Sequence, residues 1–419
     1  MSKEVVVCFG PGPLFKGGIQ NYNTSLALAL DKRGDCEVHI VSWTQQYPAI
    51  IPREFVDKSS KSDLLKDSRF QVHYITNYNN PLTWRETVQK IKSLKASKVI
   101  FQWSIALQGL PLYFIAKALK GHCEVIFDVH FVQQKEHSAI DKVLTKWALG
   151  KADTIIVHAL KTYEELQTVF PSKSFHLTEN GDRGSNTVIK LFHPIYDLFK
   201  PQADLDIEKL KQDWGLKKHV FLFFGFIRRY KGLDQAIQAF AKVRAQRDDV
   251  SLVIAGESFW NTLDQSKWST RIKQTLFGWA KRILLNKKDD EREDQPLEWI
   301  QKLGIEKDCY VVNRFIGNEE VPPFFQVSDA VLLFYRTATP SGIESLSYNF
   351  ALPLLAARVG HFPETITDGF NGYLANGSDI DDMARVMIKF LEQPISRENV
   401  KQKTAMMSWE RYAAAIMHA

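Results

Sequence analysis

Short apolar runs alternate along this chain with longer stretches whose apolar residues recur every third or fourth position. EVVVCFG, CEVHIVSW, FQVHYIT, KVIFQW, CEVIFDVH and DTIIVHA have strand length and are rich in β-branched and aromatic residues. Between them lie segments with helical spacing, such as IQNYNTSLALALDKRG, LPLYFIAKALKG and DKVLTKWALGKA. Strands separated by helices in this way predict a doubly wound α/β sheet over residues 1–195. The pattern then restarts. After His193-Pro194-Ile195 a charged amphipathic segment, DLDIEKLKQDWGL, leads into HVFLFFGF, and SLVIAGE, CYVVNRF and DAVLLFY follow. A second sheet is expected there, with a hinge near residues 195–205.

Composition supports two cores. A chain of 419 residues is too long for one ordinary core, and 45% hydrophobic with 24% charged residues is a normal globular balance. The net charge of +6 suits an anionic substrate, a membrane surface, or neither in particular. Cys8, Cys36, Cys123 and Cys309 lie far apart without metal-ligand spacing, which argues against a disulfide framework or a zinc site and fits a reducing cytoplasm. Val5–Phe9 is too short for a secretory h-region, and no stretch reaches the roughly 18 apolar residues needed to span a bilayer. A soluble or peripheral protein is expected, with no metal.

Three turns and three strand ends carry candidate chemistry. In YRTATPSGIESLSYNFALPLLAARVGHFPE a strand ends at Tyr335, turns through small residues, and enters a helix that ends before Pro353. Free backbone amides and a positive helix end would receive an anion such as phosphate, with Thr337, Thr339 and Ser341 adding hydroxyls, Pro340 stiffening the turn and Gly342 admitting close approach. An ordinary strand-to-helix connection with a serine cap fits the same residues. The first turn, GPGPLFKGG, lacks the third glycine of a dinucleotide fingerprint and the Gly-Lys-Ser/Thr of a P-loop, yet Lys16, Gly17 and Gly18 place a cation and amides at a helix start. A plain loop explains it equally well. In FGFIRRYKGLDQ, Arg228, Arg229 and Lys231 beside Gly232 suit a diphosphate, although one or two of them could be solvated surface charges. Three strands end in Gln102 with Trp103, Asp128 with His130, and His158. One such histidine is usually structural, but three ends on one rim point to a pocket.

RRYKG, AGE, DAVLLFYRTATPSG, LPLLAARVGHFPETI and DGFNGYL occur in the order seen in glycosyltransferase family 4, the retaining GT-B enzymes, and the chain resembles that family over nearly its whole length. The GG turn, the Asp-x-His strand end, the HPIY hinge and the final SWERYA helix resemble it too. The resemblance implies a GT-B fold: two doubly wound Rossmann-like domains facing a central cleft, an acceptor domain over 1–198, a nucleotide-sugar domain over 199–395, and a helix within 396–419 that returns to the first domain. It implies a hexosyltransferase that uses a nucleotide diphosphate sugar as donor substrate, without a bound cofactor, and a glycan or lipid-linked acceptor, in bacterial surface polysaccharide biosynthesis. His130, Lys231 and Arg228 would be catalytic. Gly17, Gly18, Arg229, Glu257, Pro340, Ser341, Gly342, Ile343 and Glu364 would hold the donor, and Asn21, Gln102, Trp103 and Asp128 would face the acceptor. A front-face retaining mechanism needs no protein nucleophile, which accounts for the lack of an obvious carboxylate pair.

The departures are specific. Aligning Pro353 with the family's proline puts Ala338 and Leu346 where two glutamates normally bracket the phosphate turn. Glu344 is two residues early, so a helix would turn it by roughly 200°. The Ser-Gly turn followed by Ser-Tyr resembles one branch of the family. A second departure is TRIKQTLFGWAKRILLNKK, residues 270–288, where Ile272, Leu276, Trp279 and Ile283 form one helical stripe opposite lysines and arginines. Such a helix suits an anionic membrane at the cytoplasmic face, or equally packing on its own domain. The missing glutamates keep two alternatives open, a nucleotide-sugar binding GT-B protein without turnover and a GT-B epimerase. A nucleic-acid partner has no aromatic-interleaved basic stripe to support it.

Overall fold

The computed structural model of the chain describes residues 3–48, 55–58, 65–66, 68–132, 139–258, 295–340 and 342–418. Residues 270–288 and Ser341 lie outside the described residues. In the first lobe the strands are β1 (Glu4–Phe9), β2 (Cys36–Gln45), β3 (Gln71–Asn77), β4 (Lys98–Trp103), β5 (Glu124–Val129), β6 (Thr154–Val157), β7 (His176–Thr178) and β8 (Thr187–Lys190). The second lobe holds β9 (His219–Phe224), β10 (Val250–Ala255), β11 (Cys309–Val312), β12 (Ala330–Leu333), β13 (Leu354–Ala357) and β14 (Gly372–Ala375). They form an eight-stranded sheet in the order β3-β2-β1-β4-β5-β6-β8-β7 and a six-stranded sheet in the order β11-β10-β9-β12-β13-β14.

Every ladder between these strands is parallel. Parallel strands are covered by helices on both faces, so they read as continuous apolar runs without alternation. Val6, Val7, Cys8 and Phe9 are accordingly all buried, as are all six residues of β10. The helices needed below are α1 (Gly18–Arg33), α2 (Pro81–Ser93), α3 (Gly109–Leu119), α4 (Ala139–Leu149), α5 (Leu160–Val169), α6 (Leu233–Arg244), α7 (Gly342–Asn349) and α8 (Trp409–Met417). One apolar cluster joins α2 to α4 with β1 to β6, and includes Trp84, Leu112 and Phe127. The other runs from α1 through the hinge residues Tyr196 and Phe199 into the second lobe.

Helix α8 packs on α1 of the first lobe. Ser408 Oγ caps it by accepting from the Arg411 amide. At its other end the Arg183 guanidinium donates to the carbonyls of Ala415 and Ile416, which have no partner within the helix. Trp409 Nε1 donates to the hinge carbonyl of Ile195 at 2.7 Å. Hinge and terminal helix are thereby fastened to each other.

Candidate active site in the interlobe cleft

In both sheets the strand order reverses beside the first strand, at β1/β4 in one and β9/β12 in the other. Ligand crevices of open parallel sheets form at the carboxyl ends of strands at such reversals. The turns leaving β1, β9 and β12 line a single cleft of about 1170 Å³ including its open mouth. That is large enough for a nucleotide and a sugar.

Glycines let the backbone close up around the floor. Gly225 has φ 94°, and a Cβ there would lie 2.9 Å from Ile343 and 3.0 Å from Lys231 Nζ. Gly232 has φ 63°, and a Cβ there would meet the Phe334 carbonyl at 2.2 Å. A side chain at either position would push the cation-bearing turn away from the phosphate-type turn. Lys231 itself is buried, with Nζ 5.8 Å from the centre of the Tyr335 ring. An ammonium held in that apolar setting acts strongly on any charge that enters.

The expected donor residues divide. Gly17, Gly18, Lys231, Glu257, Pro340, Gly342 and Ile343 line the cleft, as does Asn21 from the expected acceptor set. Arg228 and Arg229 are outside the lining, half-buried and exposed respectively. Glu364 is outside it too. Its carboxylate accepts from the amides of Leu160, at 2.9 Å, and Lys161 at the start of α5, where the helix end favours a negative charge. It therefore ties the second lobe to the first. Leu346, at one position where the family resemblance implies a glutamate, lines the cleft, and Ala338 is buried. Glu344 points away from the cleft into a buried pair with His361. Glu257 and Asp57 are the carboxylates among the described lining residues.

Most of the aromatic lining carries no motif in the sequence. Phe15, Phe224, Phe226, Tyr230 and Phe315 all face the cleft. Each follows or closes a strand at its carboxyl end or stands in the turn beyond it, and that position was the signal available. Tyr196 belongs to the HPIY hinge. Its hydroxyl donates to the Gly18 carbonyl at 2.9 Å, its amide to the Ser345 carbonyl at 3.4 Å, and a Cβ on Gly342 would touch its ring at 3.0 Å. A single side chain thus spans both glycine turns. Tyr196→Phe should weaken nucleotide binding about threefold to tenfold, the worth of one hydrogen bond, as read by calorimetry. Unchanged binding would reduce Tyr196 to hinge packing.

Gln102, Trp103, Asp128 and His130 are buried behind the cleft and do not line it. Trp103 packs in the apolar cluster beside Phe127, and the other three belong to a polar network closed over by α1 and α8. Tyr412 donates to Asp128 Oδ2 at 3.0 Å, His158 Nε2 lies 2.9 Å from Asp128 Oδ1, and His130 Nε2 donates to Gln102 Oε1 at 2.8 Å. Ser345 Oγ meets His193 Nδ1 at 2.6 Å from the second lobe. The Tyr22 ring stands edge-on to His130 and His193 at 4.7 and 4.8 Å. Burial pushes His130 down to about 3; Asp128 opposes that shift and His158 adds to it. His193 is held well below the ordinary histidine value by burial, then by His158 and His130. Burial would raise Asp128, but His158 and the Tyr412 hydrogen bond outweigh it and keep the carboxyl low. At neutral pH the carboxylate of Asp128 stands near two neutral imidazoles, those of His130 and His193. Asp128, His130 and His158 bring three metal-competent atoms within 4.8 Å of one another. Tyr412 and Gln102 already engage two of the three side chains.

Residues 206–407 match the family described as glycosyl transferases group 1. The chain is 31% identical over 100 residues to D-inositol 3-phosphate glycosyltransferase of Thermobifida fusca, covering 20% of this chain and 23% of that protein. It is 21% identical over 309 residues to N-acetyl-alpha-D-glucosaminyl L-malate synthase of Bacillus anthracis, covering 68% and 71%. The first of these alignments therefore spans under a quarter of its relative. Among solved structures, Anabaena HepE in complex with UDP matches with a TM-score of 0.63 at 15% identity, over 98% of this chain and 97% of that one. At that identity the likeness shows the fold, the GT-B arrangement of two facing α/β lobes expected from the sequence.

Proposed function

We propose, for a chain that belongs to the glycosyl transferases group 1, that this cleft moves a hexose from a nucleotide diphosphate sugar to a glycan or lipid-linked acceptor with retention of configuration. The observation that carries the reading is the convergence of Lys231, the Gly17-Gly18 turn and the Pro340 to Ile343 turn on one cleft between the lobes. Buried ammonium and backbone amides at a helix start are what a diphosphate needs.

In this reading the bond from the anomeric carbon to the phosphate oxygen breaks, the acceptor oxygen bonds to that carbon on the same face, and the acceptor proton passes to the departing phosphate. Lys231 offsets charge as it grows on the leaving group. Glu257 takes the hydroxyl contacts that a glutamate at position 346 would have made. The aromatic wall supplies the apolar surface for the base. We place the acceptor in the assembly of bacterial surface polysaccharide, and the protein at the cytoplasmic face of the membrane. No helix among the described residues is long and apolar enough to cross a bilayer.

The apolar residues Ala338 and Leu346 favour a second reading, nucleotide-sugar binding without turnover. A thermal-shift screen against UDP, GDP, ADP, dTDP and their sugar conjugates tests the shared premise. UDP comes first because it is the ligand of HepE. A ligand at about a hundred times its Kd adds about 2.7 kcal/mol to the folded state, an easily read shift. No response from folded protein would remove both readings. Binding without slow hydrolysis or transfer of the sugar would select the second.

A further inference from the structure

Helices α3 and α4 follow β4 and β5, run antiparallel to them, and so start at the cleft edge of the sheet. Gly109 lets them approach closely, since a Cβ there would lie 2.9 Å from Leu144 Cβ. Both turn large apolar groups outward. Leu110 and Phe114, one turn apart, continue a line begun by Leu107, while Ile140, Val143 and Trp147 keep the i, i+3, i+7 spacing of one helical face. Ile140 is 69% exposed and Trp147 49%. Tyr113 joins the two lines, its ring 5.2 Å from Phe114 and 5.6 Å from Trp147. Isolated exposed apolar residues are ordinary on a protein surface, whereas a contiguous patch of this kind marks an interaction site.

Charge narrows the partner. Lys117 and Lys151 lie over the Tyr113 ring at 5.9 and 5.4 Å, and Lys142 and Lys146 stand exposed on α4 beside the apolar line. Asp141 is the one acid in the two helices. Aromatic and aliphatic side chains rimmed by lysines match the acyl boundary and headgroups of an anionic bilayer, where tryptophan and tyrosine sit at the interface and lysines meet lipid phosphate.

We propose that the outer face of α3 and α4 docks the first lobe on an anionic phospholipid surface, with the apolar lines running down from the rim of the cleft. It deepens the proposed reading by placing a lipid-linked acceptor at the cleft mouth, and rests on that reading only for its purpose.

Co-sedimentation with phosphatidylcholine vesicles, with and without phosphatidylglycerol, tests it on the full chain without donor. The wild-type protein should sediment with the anionic vesicles and be released by salt. Phe114→Ser with Trp147→Ser should bind about tenfold more weakly at a small cost in melting temperature, since Phe114 also stacks on Trp84 at 5.7 Å, and Lys142→Glu with Lys146→Glu, both exposed, should bind as weakly with the melting temperature unchanged. Wild-type binding in both variants would overturn the proposal, as would no wild-type binding at all. A dimer in gel filtration that the Phe114 and Trp147 variant dissolves, without vesicle binding, would assign the face to a second copy of the chain and overturn it too. Nucleotide thermal shifts on the same samples report the donor reading separately.

Discussion

Lys231→Ala is expected to lower turnover by about a hundredfold to a thousandfold, because one charge contact made in the transition state contributes roughly 2.7 to 4 kcal/mol. The size of the effect follows from position. Nζ lies on the cleft floor, close to Gly225 and beside the Tyr335 ring, where water cannot replace it well. Arg229→Ala is the control. Its side chain is exposed and outside the lining, so the loss there should stay within about tenfold. Single-turnover rates with saturating donor separate the two residues, since nucleotide binding should weaken far less than chemistry slows in Lys231→Ala. Equal effects of the two substitutions would mean that Lys231 acts only through the general field of the basic turn.

That contrast bears on what the sequence could tell. Both sheets were legible because parallel strands are apolar on both faces, so HVFLFF or EVVVCF needs no register to be recognised. The glycine turns were legible for a related reason. A turn that must present amides at a strand end is restricted to few residue types, and it stays local in sequence. Side-chain direction was not legible. Arg228, Arg229 and Lys231 look alike as letters, but the short helical turn at Arg229–Lys231 buries the last and leaves the others outside the lining. Glu364 looked like a donor ligand, yet its partners are amides of α5, about two hundred residues earlier in the chain. Asp128 and His130 were recognisable as polar strand ends, whereas their burial depends on Tyr412 arriving from the far end of the chain. Contacts of that range have no local signature.

The buried histidines lead to the second large effect, a steep loss of stability in mild acid. The folded chain keeps His130 and His193 neutral, and their values fall well below the 6.5 of an open histidine, to about 3 for His130. Below pH 6.5 the unfolded chain therefore binds protons that the folded chain refuses, so the stability these groups give is complete above that pH and is lost as pH falls towards their folded values. Each group removes about 1.4 kcal/mol per pH unit within that window, so the pair removes about 2.7. Two pH units into that window the loss is about 5 kcal/mol, which equals the low end of the typical total of about 5 to 15 kcal/mol. Asp128 acts lower. With its carboxyl held below 3.8, its contribution persists above that value and fades only as pH drops through the folded value. Urea denaturation at pH 7.5, 6 and 5 reads the slope, and His130→Gln, which cannot titrate, should remove about half of it. A flat profile across this range would mean that the imidazoles take protons inside the fold. The same series also separates structure from chemistry. A neutral His130 donating to Gln102 cannot serve as a cation, so activity should fall in step with the folded fraction and no sooner. Activity lost at a pH where the urea midpoint is still unchanged would instead locate a titrating group in the cleft itself, with Asp57 and Glu257 the first to substitute.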